Sequence, residues 1–496
     1  MNNTIRKLMR KRNRMHHKAV KTQNPVHWGN YRYLRNRVID EIRRSRDNYN
    51  KTLAAQIDKT IPPGKWWRII KSLTKLNNSH KPLPPLKAAG QTLFHPVDKA
   101  DAFNKYFAEI SSLPVEPQLP DPPLHGPGPP NHMNNLIISD QEVLDQIHIL
   151  NVNKPSGPDG ISPLIIKNIS LSIVKPLTKL FNLSLCLGKL PSMWKISHIT
   201  PVYKNKGCAQ EVNNYRPISI TSILCKILEK IIFKHIHNYL FENKIIYKYQ
   251  SGFQPGDSTT YQLVEIYNTI ISSLDKGKDV RFVFCDISKA FDRVWHKGVL
   301  YKLKLYGICN QITNWVENYL VERKQKVFLD GFSSSLRHTT SGVPQGSVLG
   351  PFLFLLYIND MSYDISNNLR LFADDTSIYV IVDNDTHAVT NSLVSDLDKI
   401  CKWSDIWAVD FNPSKTKNLD FSRKNISHPP VQFGVHGPFI QKVDSHIHLG
   451  VNFQYDGGWK QHINSIHEKA CIRLNLLKLV KYKLCSCSLK KYIFHL

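Results

Sequence analysis

The stretch LRLFADDTSIYVIV, residues 369–382, places two adjacent aspartates between two short apolar runs. The runs at 369–373 and 377–382 are rich in residues that favour β-structure, and the short gap between them suits a tight hairpin. We therefore predict two paired strands with Asp374 and Asp375 at the tip. An isolated pair of acids is more often a solvated turn, since charged residues make up about a quarter of an average chain.

A second apolar run, VRFVFCD at 280–286, ends in Asp286. A short run of mostly apolar, β-favouring residues predicts a strand that is buried on both faces. If it lies beside the hairpin, three carboxylates meet, and two like charges ~4 Å apart cost about 4 kcal/mol at an effective dielectric of about 20. Bound Mg²⁺, which prefers carboxylate and phosphate oxygens, would remove this cost. Two such ions, with Mn²⁺ as a substitute, would suit phosphoryl transfer.

The composition restricts the class of partner. The 496 residues include 66 Lys and Arg against 39 Asp and Glu, a formal charge of +27. This excess indicates nucleic acid or an acidic membrane surface, while the alternative is a basic protein of unrelated function. The longest apolar run, 352–358, is far shorter than the ~20 residues that a membrane span needs. The basic stretch at 6–14 is not a secretory signal, and nine scattered cysteines suit a reduced compartment, so we expect the cytoplasm or nucleus.

The length predicts two or three domains. Residues 1–50 hold fourteen Lys and Arg against three acids, and Trp28, Tyr31 and Tyr33 lie among them. Aromatic rings beside cations suit single-stranded nucleic acid, although a solvated helix face would have the same composition. Helices are predicted at 38–57, 66–76, 97–110 and 459–482 from apolar spacing. The predicted domains are a basic helical extension at 1–113, a Pro-rich linker at 114–135, a folded body at 136–455 and a helical end at 456–496.

Eight motifs in consistent order resemble those of reverse transcriptases, specifically of jockey-like non-LTR retrotransposons. They are NKPSGPDGIS (153–162), NNYRPISITS (213–222), SGFQPGDSTT (251–260), FCDISKAFDRVWHKGVLYKL (284–303), SGVPQGSVLGP (341–351), FADDTSIY (372–379), FNPSKTK (411–417) and HLGV (448–451). The resemblance implies an α/β (α+β) right-hand polymerase. Fingers and palm would occupy 136–455, with a core domain at about 183–455, an antiparallel palm sheet flanked by helices, and a partial helical thumb at 456–496.

The resemblance also implies the reaction. The chain would be an RNA-directed DNA polymerase that uses an RNA template, a DNA primer and deoxynucleoside triphosphates. Asp286, Asp374 and Asp375 would be the catalytic carboxylates and metal ligands. Lys415 matches a lysine proposed to donate a proton to pyrophosphate. Phe291 would be an aromatic gate that leaves no room for a 2′-hydroxyl, although without the motif a core aromatic would be the simpler interpretation.

The remaining resemblance concerns substrate contacts. Lys204 and Arg216 match a basic pair that grips the triphosphate, a role that suits a guanidinium fork. Gln345 and Gly346 match residues at the incoming nucleotide, where glycine lets the backbone approach closely. The primer grip is matched by Leu449, Gly450 and Val451. The simpler interpretations are surface cations for the basic pair and an ordinary turn for the glycine.

The chain also departs from the family pattern. Gln254 stands where the family usually has Arg, so one basic contact is lost. We see no endonuclease before the polymerase motifs and a short thumb after them, so the sequence is expected to be a fragment of a longer element protein. The alternatives are a catalytically inactive nucleic-acid-binding relic, an RNA-templated RNA polymerase and a group II intron maturase. Phe291 and the residues of the motifs argue against the RNA-templated RNA polymerase and the group II intron maturase.

Overall fold

The structure is a computed structural model that describes residues 3–56, 63–74, 83–88, 90–120, 129, 131–383, 385–424 and 428–480. Its α-helices are α1 (Asn3–Thr22), α2 (Pro25–Ala55), α3 (Pro63–Leu73), α4 (Pro96–Ile110), α5 (Asp140–His148), α6 (Pro163–Asn168), α7 (Ser170–Leu187), α8 (Ile223–Glu242), α9 (Thr259–Asp275), α10 (His296–Leu305), α11 (Asn310–Leu320), α12 (Leu349–Ile358), α13 (Thr386–Trp407) and α14 (Lys460–Val480). The strands are β1 (Leu86–Ala88), β2 (Gln91–Leu93), β3 (Ile196–Tyr203), β4 (Tyr215–Ile220), β5 (Asp279–Asp286), β6 (Lys324–Leu329), β7 (Phe332–Ser333), β8 (Arg337–His338), β9 (Asn368–Phe372), β10 (Asp375–Val382), β11 (Lys417–Phe421), β12 (Gln441–Lys442), β13 (Ser445–His448) and β14 (Val451–Gln454). Two compact units are formed, Met1–Lys81 with Lys460–Leu496, and Pro82–Trp459.

The central sheet of the larger unit, called the palm sheet here, has the strand order β12-β11-β5-β10-β9. Its four longer strands pair antiparallel, which confirms the predicted antiparallel sheet, and only the short β12 joins in parallel. The predicted hairpin at 369–382 is also confirmed, with one correction. Asp375 and Thr376 already belong to β10, so the turn contains only Ala373 and Asp374. The β-ladder extends further because a two-residue turn is enough to reverse the chain.

Strand β5 is buried over its whole length except at Asp286, as its apolar run predicts. Alternate side chains point to opposite faces of a strand. Val283 and Cys285 therefore join a core that contains α12, whereas Phe282 and Phe284 join a second core with α9. The two helical layers hold the strand in place, so the carboxylate at its end lies at the edge of a packed sheet.

A second sheet, called the fingers sheet here, has the order β4-β3-β6-β7, and β8 also pairs with β6. Helix α4 packs on it, because Phe103 and Phe107 share one core with Ile199 and Val327. The predicted basic extension at 1–113 is therefore wrong at its C-terminal end, since α4 belongs to the larger unit. Apolar spacing predicts that a helix buries one face, but it does not reveal which part of the chain covers that face.

The Pro-rich segment predicted as a linker at 114–135 is described only in part, since residues 121–128 and 130 lie outside the described residues. Its end is bound to the larger unit rather than free. The Met133 amide donates a hydrogen bond to the Gly307 carbonyl (2.9 Å). The amide of buried Leu136 donates to Gln311 Oε1 (2.7 Å). These backbone contacts explain how a segment with few apolar side chains is ordered.

The described residues of the smaller unit form the helices α1, α2, α3 and α14. Helices α1 and α2 pack against each other, and α3 packs against α14 through a cluster that includes Trp66, Ile70 and Leu477. The predicted apolar face of the C-terminal helix is buried at Leu477, whereas Ile463 is 59% exposed. Residues 481 and 482 of that predicted helix lie outside the described residues. Among the helices that the structure describes, none is long and apolar enough to cross a membrane.

Candidate active site

The acidic tip between β9 and β10 is held by the segment that precedes the SGF motif. Ala373 adopts a left-handed backbone (φ +53°), which leaves Asp374 at the outside of the turn. Gln250 Oε1 accepts hydrogen bonds from the amides of Ala373 (3.1 Å) and Gly252 (2.9 Å). A Cβ at position 252 would lie 2.1 Å from the Ala373 nitrogen, so only glycine fits there. Glycine 252 thus permits the close backbone approach that supports the turn.

The three predicted carboxylates come together. Asp286, the last residue of β5, lies directly opposite Asp375 in the β5–β10 ladder, and Asp374 precedes Asp375 at the turn. Directly opposite residues have Cα atoms about 4.5–5.5 Å apart. Surrounding protein, and then the charges of Asp374 and Asp286, raise the pKa of Asp375 to about 6. Desolvation by nearby protein, and then the charge of Asp286, also raise the pKa of Asp374, although this residue is exposed at the turn, while Arg216 opposes the rise. Such acids favour a bound cation or a proton.

Lys415 places a positive charge beside Asp286, at the end of β5. Its Nζ lies 3.1 Å from Asp286 Oδ2, and both side chains remain substantially exposed. The loop that carries it is tied to the end of β5, because the Asn412 amide donates to the Asp286 carbonyl (2.8 Å). No group of three or more His, Cys, Asp or Glu side chains among the described residues is arranged to hold a metal ion. The carboxylate oxygens of these acids are the type of ligand that a hard divalent cation prefers.

The predicted basic pair lies on the β3–β4 hairpin of the fingers sheet. Arg216 is on β4 opposite Val202, and the Lys204 amide bonds to the Asn214 carbonyl (2.8 Å). Desolvation by the surrounding protein and then the nearby charge of Arg216 lower the pKa of Lys204, while Asp292 opposes the change. The positive charge of Arg216 in turn has a lowering effect on the pKa of Asp374. The hairpin therefore faces the acidic edge with exposed cations that suit the phosphates of a nucleotide.

The residues predicted at the nucleotide are held between the two sheets. Phe291 is half-buried, with its ring centroid 4.9 Å from that of Phe354. The Ser219 amide of β4 donates to the Gln345 carbonyl (2.7 Å). Gly346 has φ +124°, and a Cβ there would lie 2.5 Å from the Ser219 oxygen. Because of this contact, glycine is needed for backbone packing at position 346, and its predicted approach to a nucleotide remains a prediction.

The predicted primer grip is the two-residue turn between β13 and β14. Leu449 (φ +48°) and Gly450 (φ +87°) both adopt left-handed backbone, and Val451 opens β14. The hairpin packs on β5, since the ring of His446 stacks on that of Phe284 with 4.3 Å between the ring centroids. Burial, with a smaller effect of nearby Lys417, lowers the pKa of His446 to about 4, so the ring is neutral near pH 7. A neutral ring packs against an apolar surface without the cost of burying a charge.

Two residues of the site were missed from the sequence. Gln250 supports the acidic turn, and Asp292 accepts a hydrogen bond from Gln345 Nε2 (2.7 Å). Gln250 directly precedes the SGF motif, and Asp292 lies within the quoted motif at 284–303, immediately after Phe291. Their position in or next to the motifs was the available signal, but side-chain pairing over more than fifty residues of sequence is not a local property.

The raised pKa of Asp375 predicts a pH-dependent stability. Between its ordinary value near 4 and about 6, the folded chain holds a proton that the unfolded chain releases, so this site makes the folded state less stable as pH rises. We expect Asp375→Asn to be stabilising relative to wild type at pH 7, with a smaller difference at pH 4.5. Thermal unfolding without divalent ions measures this difference. The exposed acid Glu317, changed to Gln, is the control, and an equal difference at both pH values would contradict the prediction.

The part of the chain that contains the candidate site is also the part that resembles known proteins. Residues 203–453 match the family described as reverse transcriptase (RNA-dependent DNA polymerase), and they include every candidate site residue. The chain is 31% identical over 336 residues, 66% of its length and 36% of the relative, to the RNA-directed DNA polymerase from mobile element jockey of Drosophila melanogaster. It is 25% identical over 510 aligned positions, 95% of its length and 53% of the relative, to the probable RNA-directed DNA polymerase from transposon BS of the same species.

A third relative, the probable RNA-directed DNA polymerase from transposon X-element of Drosophila melanogaster, is 30% identical over 295 residues, 58% of this chain and 32% of the relative. The chain thus spans about a third to a half of the length of these curated relatives. The family match covers half of the chain and includes both the palm sheet and the acidic hairpin. The chain belongs to the reverse transcriptase (RNA-dependent DNA polymerase) family, and it is similar to the polymerase of the mobile element jockey.

Proposed function

We propose that this chain is an RNA-directed DNA polymerase that copies retrotransposon RNA into DNA in the cytoplasm or nucleus. One observation carries the proposal: Asp286 lies opposite Asp375 in the sheet beside Asp374, and the exposed cations Lys204 and Arg216 face this edge. In the reaction, the primer 3′-hydroxyl oxygen bonds to the α-phosphorus of a deoxynucleotide. The bond to the β-phosphate breaks, pyrophosphate leaves, and the hydroxyl proton passes to solvent.

The acids are proposed to hold two Mg²⁺ ions. Carboxylate oxygens and substrate phosphates form the ligand set that Mg²⁺ prefers. Desolvation, and after it the charges of neighbouring carboxylates, raise the pKa of Asp374 and of Asp375, and a bound cation would offset both effects. When bound, the ions supply stabilisation of negative charge that develops on the phosphoryl oxygens. In the proposed cycle, Lys415 leaves Asp286 when the site is filled, and its ammonium group is then available to protonate the departing pyrophosphate.

The fingers residues are proposed to bind the triphosphate. The guanidinium of Arg216 matches phosphate oxygens with two parallel donors, whereas the ammonium of Lys204 acts as a point charge. Lys204 Nζ donates to the Asn213 carbonyl (2.8 Å), so its side chain is directed before substrate arrives. Gln345 is proposed to contact the incoming nucleotide from the loop at 341–346, and the turn at Leu449 and Gly450 to support the primer end.

Phe291 is proposed to select deoxynucleotides by excluding a 2′-hydroxyl. We expect Phe291→Val to raise ribonucleotide incorporation relative to deoxynucleotide incorporation by roughly tenfold or more, the scale of a steric pocket that gains space. The measurement is the ratio of kcat/KM for the two nucleotides on one primer–template. Phe241→Val, at a 71% exposed ring on α8, is the matched control. An unchanged ratio in a folded Phe291→Val protein would show that Phe291 is only a core residue.

Primer extension tests the proposal directly. The full chain is given an RNA template, an annealed DNA primer, four deoxynucleotides and Mg²⁺, and elongated DNA is the expected product. Omitting Mg²⁺ and replacing the deoxynucleotides by ribonucleotides are the controls. RNA binding without extension under all these conditions would reject the polymerase and support the alternative, a catalytically inactive nucleic-acid-binding protein. That alternative is consistent with the formal charge of +27.

A further inference from the structure

A partly buried acid that the resemblance does not assign contacts Gln345, the glutamine proposed to bind the nucleotide. Asp292 follows Phe291, and its Oδ1 accepts a hydrogen bond of 2.7 Å from Gln345 Nε2. Its carboxyl group is enclosed by protein and faces Lys204, Lys289 and Tyr106 at electrostatic range. An enclosed acid that bonds to a glutamine amide is a strong acceptor for that amide.

The backbone around Asp292 holds the same loop. The Asp292 carbonyl accepts from Ser341 Oγ (3.1 Å), and the Phe291 carbonyl accepts from the Val343 amide (2.8 Å). A Cβ at Gly342 would lie 2.5 Å from the Asp292 oxygen, so the two backbones are in direct contact. Backbone contacts therefore hold the loop at 341–346, at its start through Asp292 and at its end through Ser219, and the Asp292 side chain holds the side chain of Gln345.

A cavity next to Gln345 would let its side chain move if the hydrogen bond to Asp292 were lost. A small cavity of about 40 Å³ is lined by Ser219, Ser341, Asp292 and Gln345, among others. An amide released from Asp292 would have room to rotate into this polar space, where water can satisfy it. Rotation exchanges the amide nitrogen and oxygen that Gln345 presents, which changes what the side chain can bind.

We propose that Asp292 is a positioning residue that holds the Gln345 side-chain amide in one orientation and thereby sets the affinity of the site for the incoming deoxynucleotide. The inference rests on the proposed function and adds to it the residue that orders the nucleotide-binding loop. Asp292 does not touch substrate in this arrangement. It acts through Gln345, so the effects of changing the two residues are coupled.

The test measures nucleotide binding without catalysis. The full chain is bound to an RNA template and a DNA primer that ends in a dideoxynucleotide, and the dissociation constant of the matched deoxynucleotide is measured by fluorescence. Asp292→Ala is expected to weaken binding roughly tenfold, the effect of losing one hydrogen bond to a charged group. Asp292→Asn retains an acceptor oxygen and should stay within about threefold of wild type. Gln345→Ala should equal Asp292→Ala, and the double variant should be no weaker than either.

Two results would overturn the inference. One is binding by a folded Asp292→Ala protein within about twofold of wild type, and the other is a double variant whose loss is the product of the single losses. Hydrogen exchange of the nucleotide-free protein tests the contact independently of any polymerase activity. The backbone amide hydrogens at 341–346 should exchange faster in Asp292→Ala than in Asp292→Asn. Equal exchange rates in the two variants would also overturn the inference. Failure of the proposed function would appear instead as absence of primer extension by wild type.

Discussion

Replacing Asp374 by asparagine is expected to reduce primer extension at least about a hundredfold, the scale of removing one group that stabilises charge in a transition state. RNA binding should change by less than about threefold, since binding energy for nucleic acid comes mainly from Lys and Arg contacts to phosphates. The reason is the placement of Asp374 at the tip of the β9–β10 turn, next to the opposed pair Asp286 and Asp375. Asp286→Asn and Asp375→Asn should behave in the same way.

Single-turnover extension and filter binding on the same RNA separate the two effects. Asparagine keeps the shape of aspartate, so a loss of extension reports the charge rather than the packing. The matched control is Glu317→Gln, which neutralises an exposed acid on α11 outside the site. Near wild-type extension by Asp374→Asn, or a loss of RNA binding as large as the loss of extension, would contradict the assignment of these acids as metal ligands.

Replacing Arg281 by methionine is expected to lower the free energy of unfolding by about 3–5 kcal/mol, the cost of removing one partner of a buried ion pair. Arg281 lies on β5, and its Nε donates to Asp420 Oδ1 at 3.0 Å, with both side chains almost fully buried. Its Nη2 also donates to the Pro429 carbonyl (2.7 Å). Burial raises the pKa of Asp420, but Arg281 and Lys442 outweigh it and lower the pKa overall.

Denaturant unfolding of the two proteins measures the loss. Asp275→Asn is the matched control, because its ion pair with Arg423 (2.9 Å) has side chains that are 59% and 52% exposed. Exposed pairs contribute about 0–1 kcal/mol, so the control should lose little. The double variant Arg281→Met with Asp420→Leu should recover part of the stability, since it leaves no buried charge. A loss below about 1 kcal/mol in Arg281→Met would show that the pair is not what stabilises this part of the sheet.

The sequence by itself determined the local parts of the site. The apolar run before Asp286 predicts a strand that is buried on both faces, and the runs on either side of Asp374 predict a hairpin. These predictions succeed because strand alternation and a two-residue turn depend on neighbouring residues only. The motifs in order, read as a resemblance, predict the family correctly.

Only the tertiary structure decided which of these parts meet. The register that sets Asp286 opposite Asp375 joins residues 89 positions apart. The apolar pattern restricts register only to pairings that keep the same side chains buried, so it does not single out this one. The same holds for the Lys415–Asp286 contact and for the Asp292–Gln345 hydrogen bond. Helix α4 was assigned to the wrong unit for this reason as well, because an apolar face indicates burial but not the surface that buries it. Long-range pairing depends on how the whole core packs, so it becomes visible only in the folded chain.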